Sequence, residues 1–338
     1  MTTPAPHAAR SPWARLRRSL AQELEAAGGR HDEPSIYGGP PGDPGLCGGP
    51  DSLSWEIHGD LASIAVAGNA AILMELLHPS VMAGVYTHSS YRTEPLRRAR
   101  NTLGYVLRTT FGSTVAATRV IEGVRNVHRG VTGTRPDGVA YRALEPELIA
   151  WVHTCIPWAV MRAFDRHCRP LRVEEQDRYL AEQAVLGRMG GADWVPESVA
   201  ELNDYVESMR PRLCVNEQTL SFLDFLAGRD DATLGRRDRL DRWLGIRGSM
   251  SLMPEWAQRL TGTHQPEIVR RLVLLPSDRL KARLVRWAAP VLPCKTLALA
   301  RALGASAGAG ERGTVRACPT PNATSAATTP STISTPAI

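Results

Sequence analysis

Apolar residues recur at helical spacing through most of the chain, and the alternating pattern of a half-buried strand is nearly absent. Pro157 is expected to kink or break its helix. The periodicity predicts an all-α fold. The predicted helices cover residues 61–77, 95–110, 114–129, 145–167, 174–189 and 198–209, with several shorter helices between 217 and 303.

Composition divides the chain into three parts. Residues 1–30 are expected to form an amphipathic helical extension, and residues 31–303 a single multi-helix domain. Residues 304–338 consist largely of Ala, Thr, Ser, Pro and Gly, which bury too little apolar surface to offset the entropy of ordering. We therefore expect a disordered tail. Within the domain, the Gly- and Pro-rich residues 31–54 predict a loop.

The formal net charge of +6 does not indicate a nucleic-acid partner. Of the 40 basic residues only Lys281 and Lys295 are lysines, and the arginines are scattered among acids. The densest basic runs, residues 97–100 and 236–239, contain no interleaved aromatic residue. We expect no nucleic-acid binding.

Membrane and export signals are weak. The longest apolar stretch, Leu61 to Leu77, includes Asn69 and Glu75 and would span about 25 Å as a helix, short of a hydrocarbon core of about 30 Å. Arg17-Arg18 is not followed by an apolar export segment. The six cysteines form no CxxC pair, which favours free thiols. We expect no membrane span and a cytoplasmic location.

His128 is the first candidate functional residue. On a helix of about 100° per residue, a narrow apolar stripe contains Ala117, Ile121, Val124 and His128, flanked by Val120 and Val127. A neutral imidazole that faces the interior needs partners for its two nitrogens. Haem iron is one such partner, and a neighbouring backbone carbonyl is the alternative. The periodicity by itself leaves both open.

A second candidate face lies on the preceding helix. Arg98, Thr102, Val106 and Thr109 fall close together by their i, i+4, i+7 spacing. Arg and Thr on an inward face are costly unless an anionic or polar group meets them, and a haem propionate or bound dioxygen would serve. The alternative is a surface helix with a solvated Arg98.

These segments belong to an ordered series of motifs. The series comprises residues 49–60 (GPDSLSWEIHGD), 76–79 (LLHP), 84–89 (GVYTHS), 95–98 (PLRR), 111–112 (FG), 127–133 (VHRGVTG) and 146–153 (PELIAWVH). In order and character it is similar to the bacterial MpaB-type oxygenase family, which is related to the latex-clearing rubber oxygenases. The resemblance covers roughly residues 49 to 290.

The resemblance implies an all-α fold with a globin-like core enclosing haem b, and dioxygen-dependent oxidation, which in the rubber enzymes cleaves a carbon–carbon double bond. The family's Arg and Thr, separated by three residues, match Arg98 and Thr102. Its haem-ligating histidine matches His128. Asn101 stands where the rubber enzymes have an iron-capping lysine. The rubber enzymes' pocket glutamate has no convincing match.

Three further histidines are candidates for the haem pocket. His78 and His88 are possible distal groups, although His78 precedes Pro79 and could equally serve as a helix cap. His153, on an apolar helix, is the rival to His128 as axial ligand.

The sequence thus suggests a cytoplasmic haem-b oxygenase that acts with dioxygen on an apolar or amphipathic small molecule. His128 would bind the iron, while Arg98 and Thr102 would position the haem or its bound oxygen. The alternatives are a non-catalytic haem carrier or sensor and a cofactor-less helical scaffold. The substrate and the oligomeric state stay open.

Overall fold

The computed structural model describes residues 12–28, 31–229, 231 and 233–304. Helices make up most of this part of the chain. The first eight are α1 (Pro12–Gly28), α2 (Pro34–Tyr37), α3 (Leu53–Ile57), α4 (Leu61–Leu76), α5 (Pro79–His88), α6 (Pro95–Phe111), α7 (Thr114–His128) and α8 (Pro146–His167). The others are α9 (Val173–Gly190), α10 (Val199–Met209), α11 (Glu217–Ala227), α12 (Arg236–Met250), α13 (Glu255–Leu260), α14 (Glu267–Val269), α15 (Leu275–Ala288) and α16 (Pro293–Ala302).

Irregular helical turns and one hairpin complete the architecture. A 3₁₀ turn, Arg210–Arg212, follows α10, and a π-helical segment, Arg270–Leu274, joins α14 to α15. The hairpin pairs β1 (Thr132–Thr134) with β2 (Ala140–Arg142) in antiparallel register, with Gly133 opposite Tyr141. The all-α prediction is confirmed, with this hairpin as a small exception.

The six long helices predicted from periodicity correspond to α4 and to α6 through α10, and their ends agree within one residue. Two details differ. Pro157 does not break its helix, because α8 continues through it to His167. The predicted loop of residues 31–54 contains α2 and the start of α3, while its Gly/Pro cluster is non-helical.

Two of the predicted segments reach beyond the described residues. Of the predicted tail, residues 304–338, only Gly304 is described, so the expectation of disorder falls outside the described chain. In the predicted extension, residues 12–28 form α1, whereas 1–11 and 29–30 lie outside it as well.

Helices α4 and α8 pack against each other along their lengths and form the centre of the core. Leu73 and Met74 of α4 meet Trp151, Ala159 and Phe164 of α8 in one buried cluster. Helix α4 is also contacted by α5, α12 and α15. Its residues are apolar around most of the circumference, as expected for a helix with little solvent-facing surface.

Within the described chain, no single helix has both the length and the apolar character to cross a membrane. Taken together, α4 and α5 have the length and apolar composition of a membrane span, but they are bent by 110° at their junction.

The cysteines depart in part from the expectation of free thiols. Cys47, Cys155, Cys214 and Cys294 are free. Cys168 is disulfide-bonded, so the expectation is wrong for this residue.

The Gly/Pro loop is held by a buried arginine. Arg301 of α16 donates hydrogen bonds to the carbonyl oxygens of Tyr37 (2.6 Å), Asp43 (2.9 Å) and Phe111 (2.9 Å). Carbonyl acceptors offset the cost of burying its charge. The loop therefore connects the end of α2, the end of α6 and α16.

Two glycines of this loop provide a matched test of its packing. Both Gly42 and Gly45 have positive φ, at 85° and 74°, but only at Gly45 would an added Cβ lie 2.6 Å from a backbone atom, the Gly112 carbonyl oxygen. Gly42→Ala should cost about 1 kcal/mol from backbone strain alone. Gly45→Ala should cost about 3 kcal/mol, because the overlap adds to the strain. Urea denaturation measures both, and equal losses would contradict the close packing.

Candidate functional site

Three helix ends bring candidate groups together. Glu75 lies in the last turn of α4, Arg98 in the first turn of α6 and His128 at the end of α7. The Arg98 guanidinium is close enough to influence the ionisation of both Glu75 and His128. A cation, a carboxyl and an imidazole therefore share one region, which we call the Arg98 cluster.

The α6 face predicted from spacing is present. Val106 and Thr109 are buried, and Arg98 and Thr102 are half-buried toward the start of the helix. The Arg98 guanidinium donates a hydrogen bond to the Thr102 hydroxyl. That hydroxyl in turn donates to the Arg98 carbonyl oxygen at 3.2 Å. Thr102 thus restricts the orientation of the arginine head group.

The His128 stripe is buried most deeply at its beginning. Ala117 and Ile121 are buried and His128 is half-buried, whereas Val127, expected to flank the stripe, is exposed. Within the described chain the His128 ring makes no hydrogen bond, so the alternative of a carbonyl partner is not seen there. Burial, and then the charge of Arg98, lowers the pKa of His128. The ring is therefore neutral at pH 7, with a nitrogen available for a ligand.

Glu75 is a buried acid that the motif analysis did not select. It is only 7% exposed, and its carboxyl group makes no hydrogen bond to any residue that the structure describes. Burial raises its pKa to about 7, although Arg98 acts in the opposite direction. The Trp151 indole donates to the Glu75 backbone carbonyl at 3.2 Å and holds this end of α4 against α8. The sequence feature that could have identified Glu75 is the presence of an acid within the apolar residues 61–77.

The proposed distal histidines have structural partners. His78 is the N-cap of α5, and its Nδ1 accepts a hydrogen bond from the Ser80 backbone N–H at 3.3 Å. Burial lowers the pKa of His78 to about 4. His88 is exposed, and its Nε2 lies 3.2 Å from the Thr132 carbonyl oxygen, which connects α5 to the hairpin.

His153 lines a small cavity between α6, α8 and α9. The cavity measures about 20 Å³, room for about one water molecule. Pro157 also lines it and has no N–H to donate to the His153 carbonyl. Burial lowers the pKa of His153 to about 4. His153 therefore lies beside a water-sized cavity and stays the rival to His128 as axial ligand.

The cavity adjoins a polar network centred on His58, which sequence reasoning also missed. His58 Nδ1 lies 2.6 Å from the Thr110 hydroxyl, and Nε2 lies 2.7 Å from the Tyr179 hydroxyl. Both nitrogens are therefore engaged, and burial lowers the pKa of His58 to about 3. This histidine is a structural group rather than a free ligand.

The residues can be tested against the metal chemistry that the sequence suggested. Among the described residues no group of three or more His, Cys, Asp and Glu could hold a metal ion. A haem makes a smaller demand, because the porphyrin supplies four ligands to the iron and the protein needs to add one or two. The neutral ring of His128, with the Arg98 cation nearby for a propionate, fits that demand.

Comparison with known proteins gives one finding. The family model described as "ER-bound oxygenase mpaB/B'/Rubber oxygenase, catalytic domain" matches residues 55–293. No curated protein and no solved structure matches the chain. The matched segment is more than half of the chain and contains Glu75, Arg98, Thr102 and His128. The chain therefore belongs to the mpaB/rubber oxygenase catalytic-domain family.

Proposed function

We propose that this member of an oxygenase family is a haem-b-dependent enzyme that oxidises an apolar or amphipathic small molecule with dioxygen. Family membership supports the oxygenase activity. The observation that carries the haem assignment is the half-buried His128 ring, neutral and without a hydrogen bond in the described chain, beside the Arg98 cation. Oxidative cleavage of a carbon–carbon double bond is the reaction type that we propose.

Bound haem would supply the electron-transfer and dioxygen chemistry that amino-acid side chains lack. His128 would hold it by one ring nitrogen, because that nitrogen is unprotonated at neutral pH. Arg98 would bind a carboxylate or an oxygen-bearing group by charge-assisted hydrogen bonds. Thr102 would keep the guanidinium in one orientation through the hydrogen bond between them.

The chain offers no lysine to this site. Lys295 donates to the Trp55 carbonyl at 2.9 Å, and Lys281 pairs with Asp241 at 2.9 Å. Asn101, at the position of the rubber enzymes' lysine, is exposed. We therefore propose that no lysine caps the iron, which distinguishes this chain from the rubber enzymes.

Glu75 would hold a proton in the Arg98 cluster. With a pKa of about 7 its carboxyl is close to half-protonated at neutral pH, so it can take up or return a proton at little cost. Arg98 stabilises the charged form. The surrounding apolar core keeps water away from the carboxyl and favours an apolar substrate beside it.

The axial-ligand assignment predicts a spectroscopic difference between histidine variants. Protein reconstituted with haemin should show a Soret band and bind about one haem per chain by the pyridine haemochrome assay. His128→Ala should lose this band or bind haem at least about tenfold more weakly, because the iron loses its axial imidazole. His153→Ala and the exposed-site control His88→Ala should retain it.

Three outcomes would contradict the proposal. Absence of haem from the wild type would reject the cofactor, and loss of the Soret band in His153→Ala alone would reject His128 as ligand. Haem binding without oxygen uptake, measured with squalene as an apolar alkene probe, would favour a non-catalytic carrier.

The ionisation of Glu75 predicts a pH-dependent stability. Its folded pKa of about 7 lies above the ordinary glutamate value of 4.5, so the folded state binds more protons than the unfolded state between these pH values. The free energy of unfolding therefore falls as the pH rises through this window, by up to about 3 kcal/mol. Glu75→Gln should remove this loss. The variant should therefore gain stability relative to the wild type at pH 8, and gain less or nothing at pH 4.

Urea denaturation of Glu75→Gln and wild type at both pH values measures this effect. The control Glu122→Gln alters an exposed acid on α7 and should show no such difference. An equal effect of Glu75→Gln at the two pH values would mean that the carboxyl is not desolvated.

A further inference from the structure

The helical run from Glu267 to Ala288 has two apolar faces. This run joins α14, the π-helical segment and α15 without interruption. Leu274, Asp278 and Ala282 are buried against the core. On the outside the exposed fractions are 59% for Leu280, 42% for Leu284 and 37% for Trp287. Burial against the core therefore explains only one of the two faces.

The outward residues form a continuous stripe. At about 100° per residue, Leu280, Leu284 and Trp287 lie within about 60° of one another and opposite the buried Asp278 and Ala282. Ile268 and Leu272, earlier in the same run, are also largely exposed. Single exposed apolar residues are ordinary, but a series of them on one helical run marks an interaction surface.

Basic residues border this stripe. The run contains Glu267 and Asp278 as its acids, and Asp278 is buried. Its basic residues are Arg270, Arg271, Arg279, Lys281, Arg283 and Arg286. Of these, Arg279 and Arg283 are exposed and make no ion pair with another residue that the structure describes. At about 100° per residue, Arg283 lies about 60° and Arg279 about 100° around the helix from Leu280, so exposed positive charge flanks the apolar stripe.

The chemistry of this face selects its partner. Residues 305–338 contain almost no large apolar side chain that could cover the stripe. A second copy of the same face would bring like charges together, which disfavours a two-fold dimer. An anionic lipid surface satisfies both features, because leucine and tryptophan enter the headgroup boundary while arginines meet the lipid phosphates.

We propose that the outward face of Glu267–Ala288 docks peripherally on anionic lipid bilayers. The inference does not depend on the haem proposal. Arg286 of α15 donates two hydrogen bonds to the Asp60 carboxylate at the start of α4, from Nε at 2.9 Å and from Nη2 at 2.7 Å. Glu75 lies at the other end of α4. The docking face and the Arg98 cluster can therefore be altered separately.

Vesicle flotation with the full chain tests the docking. Phosphatidylcholine vesicles are compared with vesicles in which about one quarter of the lipid is phosphatidylglycerol. The wild type should float with the anionic vesicles and be released at about 1 M salt, where the Debye length is about 3 Å. The double variant Leu280→Ser with Leu284→Ser should weaken partitioning at least about tenfold. The double variant Arg279→Gln with Arg283→Gln should weaken it roughly tenfold, and the remaining binding should depend less on salt.

Leu220→Ser is the matched control, because Leu220 is 52% exposed on α11, outside the docking face. It should bind vesicles like the wild type, and all variants should keep the wild-type circular dichroism spectrum. The proposal is overturned if the wild type does not bind anionic vesicles, or if Leu220→Ser weakens binding as much as the docking-face variants. It is equally overturned if light scattering shows a wild-type dimer that Leu280→Ser with Leu284→Ser separates.

Discussion

The packing of α4 against α8 is the contact on which the rest of the molecule depends. The two helices run in opposite directions, since Trp151 near the start of α8 meets Glu75 near the end of α4. This pairing buries the largest apolar cluster of the described chain. Helices α5, α12 and α15 pack on the remaining sides of α4. The candidate site therefore lies at the end of α4 that contains Glu75, and not in the middle of the core.

The same packing explains why a carboxyl can have an unusual pKa. Glu75 is held in an apolar environment by its own helix, and the cation that acts on its ionisation, Arg98, belongs to a different helix. A buried acid without hydrogen bonds lowers stability, because the charged form is poorly solvated. Groups of this kind are typical of functional sites, where reactivity takes precedence over stability.

Much of the fold follows from sequence periodicity. The long helices were predicted to within a residue because their apolar stripes are regular and their ends carry capping residues, as at Ser198, whose hydroxyl accepts from the Glu201 N–H. The hairpin escaped prediction because its strands have three residues each, too few to show alternation. The disulfide of Cys168 also escaped, since cysteine spacing does not define pairing.

The candidate site was predictable only in part. Helical spacing placed Arg98 with Thr102, and His128 with Ile121, because those relations are local to one helix. The proximity of Arg98 to Glu75 arises from the packing of separate helices, which no local pattern contains. The same holds for His58, whose partners Thr110 and Tyr179 are 52 and 121 residues away in the chain.

The arginine at the end of α16 sets a limit on where this domain can be cut. The family match ends at residue 293, yet Arg301 supplies the donors for three carbonyl groups from the first third of the chain. A fragment that ends at residue 293 would leave all three carbonyl oxygens, two of them buried, without this donor and the loop unanchored. During synthesis, the amino-terminal loop therefore cannot reach its final contacts until α16 has left the ribosome, so the folding unit is longer than the family boundary suggests.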